Sequence, residues 1–236
     1  MRIKMVLPIN HTGLNLATRE EIAPAIAPDT EFDIANLVDG PEFIENRFDD
    51  FRAVQGIIRI GRQAEQDGFD GIFVDCFTEP GVEVLRECVS IPVLGAFGPA
   101  LLTANAIAQR YAIITAVPGV VPLYIQMVRG LGQTENVVTI RHVNMPVQEM
   151  VNRDRLLDTL FAESVEAVRM GAQAIVLGCT GMLGVSQELQ ERLNQSSAPA
   201  SLIDPTLAGI CMLQGLIRQR LRASLLCYAQ HIEKPA

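Results

Sequence analysis

The chain has 236 residues, with 19 Lys+Arg against 27 Asp+Glu for a formal charge of −8, and is 49% hydrophobic but only 19% charged. Disorder requires low hydrophobicity and dense charge, so the composition excludes a disordered chain and implies a sizeable core in one large or two small domains. Basic residues are scattered and outnumbered, which argues against nucleic acid as the main partner and leaves small metabolites.

From the N-terminus, the apolar run before Pro8, Asn10 and His11 is too short for a signal-peptide core and reads as a first strand, so a cytoplasmic protein is expected. Further β-branched runs at 31–38, 71–75, 93–95, 111–117, 137–143, 174–178 and 201–203 alternate with helical patterns. The helices include 51–67 and 154–170, the second with Leu156, Leu157, Leu160, Phe161, Val165 and Val168 on one face. Such alternation predicts parallel sheets flanked by helices. Gly68 and Gly171 follow these helices as C-terminal caps, and Asp204-Pro205 opens the last helix. The polar stretch 194–201 reads as a surface connection. The most apolar stretch, 111–125, is broken by Pro118, Gly119 and Pro122 and falls short of the roughly 20 residues a membrane helix needs.

A weak internal repeat organises these elements. Residues 68–76 align without a gap to residues 171–179, so that Cys76 and Cys179 each lie eight positions after a glycine and 103 positions apart. Val38-Asp-Gly-Pro41 matches Val143-Asn-Met-Pro146, and the strand ending at Pro8 matches the one ending at Pro118. Three anchors in one order predict two similar α/β halves, each with a parallel sheet of about four strands.

Ligands of open parallel sheets bind beyond the carboxyl ends of the strands, where both Cys76 and Cys179 fall. If the halves face one another, the two thiols flank a shared cleft. Two acid/base groups on opposite sides of one carbon are what inversion of a stereocentre requires. Both cysteines precede segments suited to starting helices, 78–81 and 180–184, and a helix N-terminus would lower a thiol pKa. Proton loss beside a carbonyl creates enolate-like charge, for which the amides and hydroxyls at Phe77, Thr78, Thr180 and Gly181 are candidate donors. Asn10 and Thr12 after the first strand, with Thr115 and Pro118 at the equivalent place, complete the expected rim.

The bland readings are set beside these. Cys88, Cys211 and Cys227 read as inert core residues. Period-two alternation points Asp75 away from Cys76 and gives it a structural role. Glu79 reads as an early-helix acid favoured by the dipole, and His11 as a surface or ligand-orienting side chain. Phe43, Phe48, Phe51 and Phe97 line a pocket or fill core. With five widely spaced cysteines, no Cys-x-x-Cys and three histidines (His11, His142, His231), neither disulfides nor a metal site is indicated. No Gly-x-Gly-x-x-Gly follows the first strand, which disfavours a dinucleotide enzyme.

Four segments resemble the Asp/Glu/hydantoin racemase superfamily, closest to its hydantoin and allantoin racemase branch: Asp75-Cys-Phe-Thr-Glu-Pro-Gly-Val-Glu-Val-Leu-Arg-Glu87, Ile91-Pro-Val-Leu-Gly95, Ala112-Ile-Ile-Thr-Ala-Val-Pro118 and Val176-Leu-Gly-Cys-Thr-Gly-Met182. The resemblance implies two pseudo-symmetric, flavodoxin-like α/β domains with the site in the cleft between them. It also implies racemisation by a thiolate/thiol pair without a cofactor, a small-molecule substrate, and a homo-oligomer. It guides a division into residues 1–98 plus 205–236 and residues 99–204. The sequence departs from the branch in two places. Leu7-Pro-Ile-Asn-His-Thr12 replaces an Asn-Pro-Asn-Thr-like loop, and Gly95-Ala-Phe-Gly-Pro99 lacks the acid that tends to follow the fourth strand. Expected substrates are a 5-substituted hydantoin, allantoin or an acidic amino acid. Cis–trans isomerisation or decarboxylation on the same scaffold, and metabolite binding without catalysis, are the alternatives.

Overall fold

The computed structural model describes residues 1–230; His231 and the end of the 205–236 segment lie outside the described residues. The first half of the chain runs β1 (Arg2–Leu7), α1 (Asn15–Ile22), β2 (Glu31–Asn36), α2 (Arg47–Gln66), β3 (Gly71–Val74), α3 (Val82–Cys88), β4 (Val93–Leu94) and α4 (Phe97–Ile107). The second repeats the pattern with β5 (Tyr111–Thr115), α5 (Val121–Gly130), β6 (Val137–His142), α6 (Arg153–Arg169), β7 (Ala174–Leu177), α7 (Ser186–Asn194), β8 (Ser201–Ile203) and α8 (Pro205–Arg218). Two parallel four-stranded sheets result, ordered β2-β1-β3-β4 and β6-β5-β7-β8. The identical strand order is the physical form of the sequence repeat.

Helix ends follow their local chemistry. The Asn46 side chain accepts from the Phe48 and Asp49 amides to open α2, and Asp204 does the same for Thr206 and Leu207 at the start of α8. Gly68 and Gly171, at φ +78° and +102°, take the left-handed position just past α2 and α6, as their spacing predicts. The buried seam of α6 passes through Ser164 and Ala167 beside the three leucines, leaving Phe161, Val165 and Val168 half-buried. Ser164 meets its burial by donating to the Leu160 carbonyl at 2.7 Å.

Strand alternation divides the core into three layers. Ile3, Met5 and Phe73 of one sheet and Tyr111, Ile113 and Val176 of the other belong to a central cluster between the sheets. Val6, Ile72 and Val74 face α2 and α3 on one outer side, and Ala112, Ile114, Ile175 and Leu177 face α6 and α7 on the other. Helices cross over in the middle layer: α4 packs on β7 and β8, α8 packs back on β3 and β4, and α4 and α8 pack on each other.

Close approach of α8 depends on Gly209, where a Cβ would come within 2.2 Å of the buried Phe73 ring. Gly209→Ala gains helix propensity of about 1 kcal/mol. Overpacking against Phe73 costs about 1–3 kcal/mol. The variant is therefore expected to be no more stable, and up to about 2 kcal/mol less stable, in urea unfolding, whereas an exposed helical glycine would show a gain.

Candidate active site

In both sheets the strand order reverses between the first and third strands of the half, so a crevice opens at the carboxyl ends of β1 and β3 and of β5 and β7. The chain leaves β3 through Asp75 and Cys76 and leaves β7 through Gly178 and Cys179. Both cysteines line one cavity of about 50 Å³ between the halves. Its remaining wall is largely apolar and includes Leu7, Ile9, Phe43, Ile44 and Val147; Thr18, Asp75 and Thr180 supply the polar side chains. No Arg, Lys or His lines it. Small-molecule sites span ~300–1,000 Å³, so the cavity must widen to admit a ligand.

Segment 37–46, between β2 and α2, roofs the cavity through Phe43 and Ile44 and is fastened to the other half. Glu45 accepts from the Val147 amide at 2.8 Å, and the Glu45 carbonyl lies so near Gly119 that a Cβ there would approach it to 2.7 Å. Arg47, at the start of α2, donates to Gln126 on α5 at 2.7 Å. At the floor, the Thr180 hydroxyl donates to the Asp75 carbonyl at 3.1 Å, and the Asp75 carboxylate accepts from Thr206 on α8 at 2.8 Å.

Neither thiol sits at a helix N-terminus, contrary to the sequence expectation: α3 begins six residues after Cys76 and α7 seven residues after Cys179. Tight turns take the place of helix ends. The N–H of Thr78 faces the Cys76 sulfur and that of Gly181 faces the Cys179 sulfur, each two residues on. Burial outweighs these donors. It pushes Cys76 up to about 12, with the Asp50 and Cys179 charges adding to the rise, and pushes Cys179 up to about 11, with Asp75 and Glu45 adding. Asp75 is likewise raised, to about 7, chiefly by burial.

The remaining expected rim residues disperse. Phe77 is core, edge-on to Phe97 and Tyr124 at 5.1 Å each. Thr115 is fully buried and donates to the Gly178 carbonyl at 3.1 Å. Thr78 is buried with its hydroxyl 3.1 Å from Cys76 Sγ, outside the cavity wall. Asn10 is exposed and donates to the Gly40 carbonyl at 3.2 Å, Thr12 is exposed with its carbonyl accepting from Asn15, and Pro118 is exposed at the start of a short 3-10 turn. His11 packs edge-on against Phe43 at 5.0 Å, behind the roof.

Other side chains part from their sequence readings. Glu79 precedes α3 rather than lying in it, and its carboxylate accepts from the Gly98 amide at 2.9 Å, capping α4. Gly95 leaves it room, since a Cβ there would meet Glu79 Cγ at 2.4 Å. Cys211 and Cys227 are exposed, not core, because they lie on α8 and the tail away from the sheets. Phe48 and Phe51 are exposed on α2, neither pocket nor core. Asp50 and Glu45 near the thiols, and Tyr124 between the halves, escaped the sequence reading. Asp50 follows Asn46 and Asp49 like any first-turn acid, and residue type does not say which of the two faces inward.

A larger groove of about 840 Å³ between α1, α4, α7 and α8 contains Glu21 and Asp204 but neither paired cysteine. Among the described residues, no helix is long and apolar enough to cross a membrane, and no three His, Cys, Asp or Glu side chains gather as a metal site would require.

A family model described as Asp/Glu/Hydantoin racemase matches residues 16–213. Hydantoin racemase of Paenarthrobacter aurescens is 28% identical over 220 residues, covering 92% of this chain and 91% of that protein. Hydantoin racemase of Rhizobium meliloti is 27% identical over 219 residues, covering 92% and 89%. The solved structure of allantoin racemase from Klebsiella pneumoniae superposes with a TM-score of 0.92 at 25% identity, covering 99% of this chain and 95% of that one.

Proposed function

Since the chain belongs to the Asp/Glu/hydantoin racemase family, we propose that it is an isomerase that inverts the carbon beside a ring carbonyl in a neutral cyclic amide, a hydantoin bearing an apolar 5-substituent. Cys76 and Cys179 serve the two faces of that carbon. One observation carries the reading: each half of the molecule contributes one cysteine to the same small cavity.

The chemistry needs one sulfur ionised and one protonated. The thiolate removes the hydrogen from C5, negative charge spreads onto the ring carbonyl oxygen, and the opposite thiol returns a proton to the other face. The product leaves the pair with its protonation exchanged, so the sulfurs must re-equilibrate before the same enantiomer is turned over again. No cofactor is required by this reaction, because a proton on carbon flanked by carbonyl and amide is acidic enough for a desolvated thiolate.

The lining favours the substrate class. An acidic amino acid would bring carboxylates to a wall without a cation and beside Asp75, a costly desolvation without a partner. The ureido arm of allantoin would leave polar groups against Leu7, Ile9, Phe43 and Val147, whereas an apolar 5-substituent is matched by them. In D2O, a single enantiomer of a 5-alkylhydantoin is expected to lose its optical rotation while C5–H is replaced by deuterium. Allantoin should react more slowly, and glutamate not at all. Rapid inversion of glutamate, or release of carbon dioxide from a malonate-type diacid, would overturn the reading.

A further inference from the structure

Most hydroxyls near the site are already spent. Thr180 donates to the Asp75 carbonyl, Thr206 to the Asp75 carboxylate and Thr115 to the Gly178 carbonyl. Thr18 is different. It lies in α1, is 1% exposed and lines the cavity that holds both sulfurs, yet its hydroxyl makes no hydrogen bond among the described residues. A helical hydroxyl deprived of water ordinarily turns back to the carbonyl four residues earlier, as those of Thr159 and Ser164 do. In α1 it is the Thr18 amide, not the hydroxyl, that takes the Leu14 carbonyl. A buried hydroxyl without a partner costs free energy, so a partner for this one is expected to arrive with the ligand.

The rest of α1 holds that hydroxyl in place. Ile22, one turn on, is buried in the central cluster, and Glu21 accepts from the Gly184 amide at 2.7 Å, tying the helix to the segment that follows Cys179. A ring clasped between two sulfurs offers them its faces, while its carbonyl oxygens lie in the ring plane and point at the edge of the cavity. A donor for such an oxygen must come from a third element of the wall. That wall has no Arg, Lys or His, the Thr180 proton is committed, and Asp75 as a carboxylate has none to give. Resting on the two-thiol reading above, we propose that the Thr18 hydroxyl donates to the carbonyl oxygen beside the reacting carbon and stabilises the negative charge that gathers there when C5–H is lost. The return step needs no second donor, because the hydrogen changes face while the oxygen stays where it is. The two halves accordingly differ at this point: at the offset relating Pro8 to Pro118, the counterpart of Thr18 is Val128, a buried member of the central cluster.

The test compares wild type with Thr18→Val, which keeps the shape without the hydroxyl, at pH 8, above the titration of Asp75 at about 7. With a 5-alkylhydantoin, kcat for racemisation is expected to fall about 10²-fold, the usual worth of one donor to a developing oxyanion, while KM changes by less than about threefold. Thr18→Ser regains most of the loss. Placed in the Cys179→Ser background, Thr18→Val slows the remaining exchange of C5–H for deuterium by the same factor, because the donor serves the charged intermediate rather than either sulfur. Urea unfolding separates this from mere packing: exchanging an unpartnered buried hydroxyl for a methyl leaves the unfolding midpoint at or above that of wild type. Racemisation by Thr18→Val within about threefold of wild type overturns the proposal. A raised KM with kcat intact also overturns it, since that marks an anchor for the ring rather than a donor to the charge. So does a lowered unfolding midpoint that accounts for the lost activity. Failure of the two-thiol reading looks different: Cys76→Ser or Cys179→Ser would racemise at the wild-type rate, whatever Thr18→Val does. A wild type that exchanges no C5–H brings down both.

Discussion

Replacing Cys179 with serine is expected to end net inversion, lowering kcat/KM by at least about 10²–10⁴-fold, the usual worth of a general acid or base. The side chain keeps nearly the same shape, so the cavity and the turn at Thr180 and Gly181 persist, but a serine hydroxyl ionises far less readily than a thiol. Cys76→Ser should be equally inactive in inversion. The two variants differ in what they retain. Each leaves one sulfur able to remove and return a proton on its own side, so deuterium from D2O should enter one enantiomer in Cys179→Ser and the opposite one in Cys76→Ser, without loss of configuration. Optical rotation and proton NMR on the same sample separate the two processes. Either variant racemising at the wild-type rate would remove the mechanism. The second sulfur contributes nothing unless the first has acted, so the double variant should be little worse than either single one.

The second large effect concerns stability. Asp75 is 6% exposed, and burial lifts its carboxyl from 3.8 to about 7 despite the hydrogen bond from Thr206. Between those two pH values the folded protein keeps a proton that the unfolded chain has released, so folding stability falls as pH rises through that window. Three pH units correspond to roughly 4 kcal/mol, absent below pH 3.8 and fully felt above about 7. Asp75→Asn keeps a partner for Thr206 and removes the titration. Urea unfolding at pH 5 and pH 8 should show the wild type losing more stability than the variant over that interval. Glu21, Asp50 and Glu79 are also raised by burial and act in the same direction, but they are common to both proteins and cancel in the comparison. Parallel stability curves would show that Asp75 is solvated in solution.

Much of this arrangement was legible before any coordinates. Strands announced themselves because parallel strands buried on both faces are written in a few apolar residue types, and helix ends because Asn46, Gly68, Gly171 and Asp204 act on neighbours a few positions away. The repeat was readable at 68–76 and 171–179 because each half must solve the same packing problem between sheet and helix. The paired cysteines followed from that repeat. What stayed hidden depends on contacts between distant segments. Asn10, Thr12 and Pro118 sit at the correct strand ends, yet they are exposed, and Phe43 and Ile44 of segment 37–46 line the cavity instead. Thr115 points into the central layer because alternation continues through the end of β5. Glu79 caps a helix it does not belong to, a partnership that becomes visible only once β4 has carried Gly98 back beside it. The thiol environments were misread for the same reason: a turn, not a helix, follows each strand.

The crossing of α4 and α8 between the sheets governs the order in which the protein can be completed. The strands of the first sheet are all synthesised by Leu94, but the face bearing Met5 and Phe73 has its cover only when Pro205–Arg218 has emerged from the ribosome. At typical elongation rates the nascent sheet waits on the order of ten seconds with that face open to water or to a chaperone. The second sheet has no such delay, since α4 is made before it. The crevice holding both sulfurs is therefore among the last features to form, and a chain released early would carry Cys76 and Cys179 without the cavity they share.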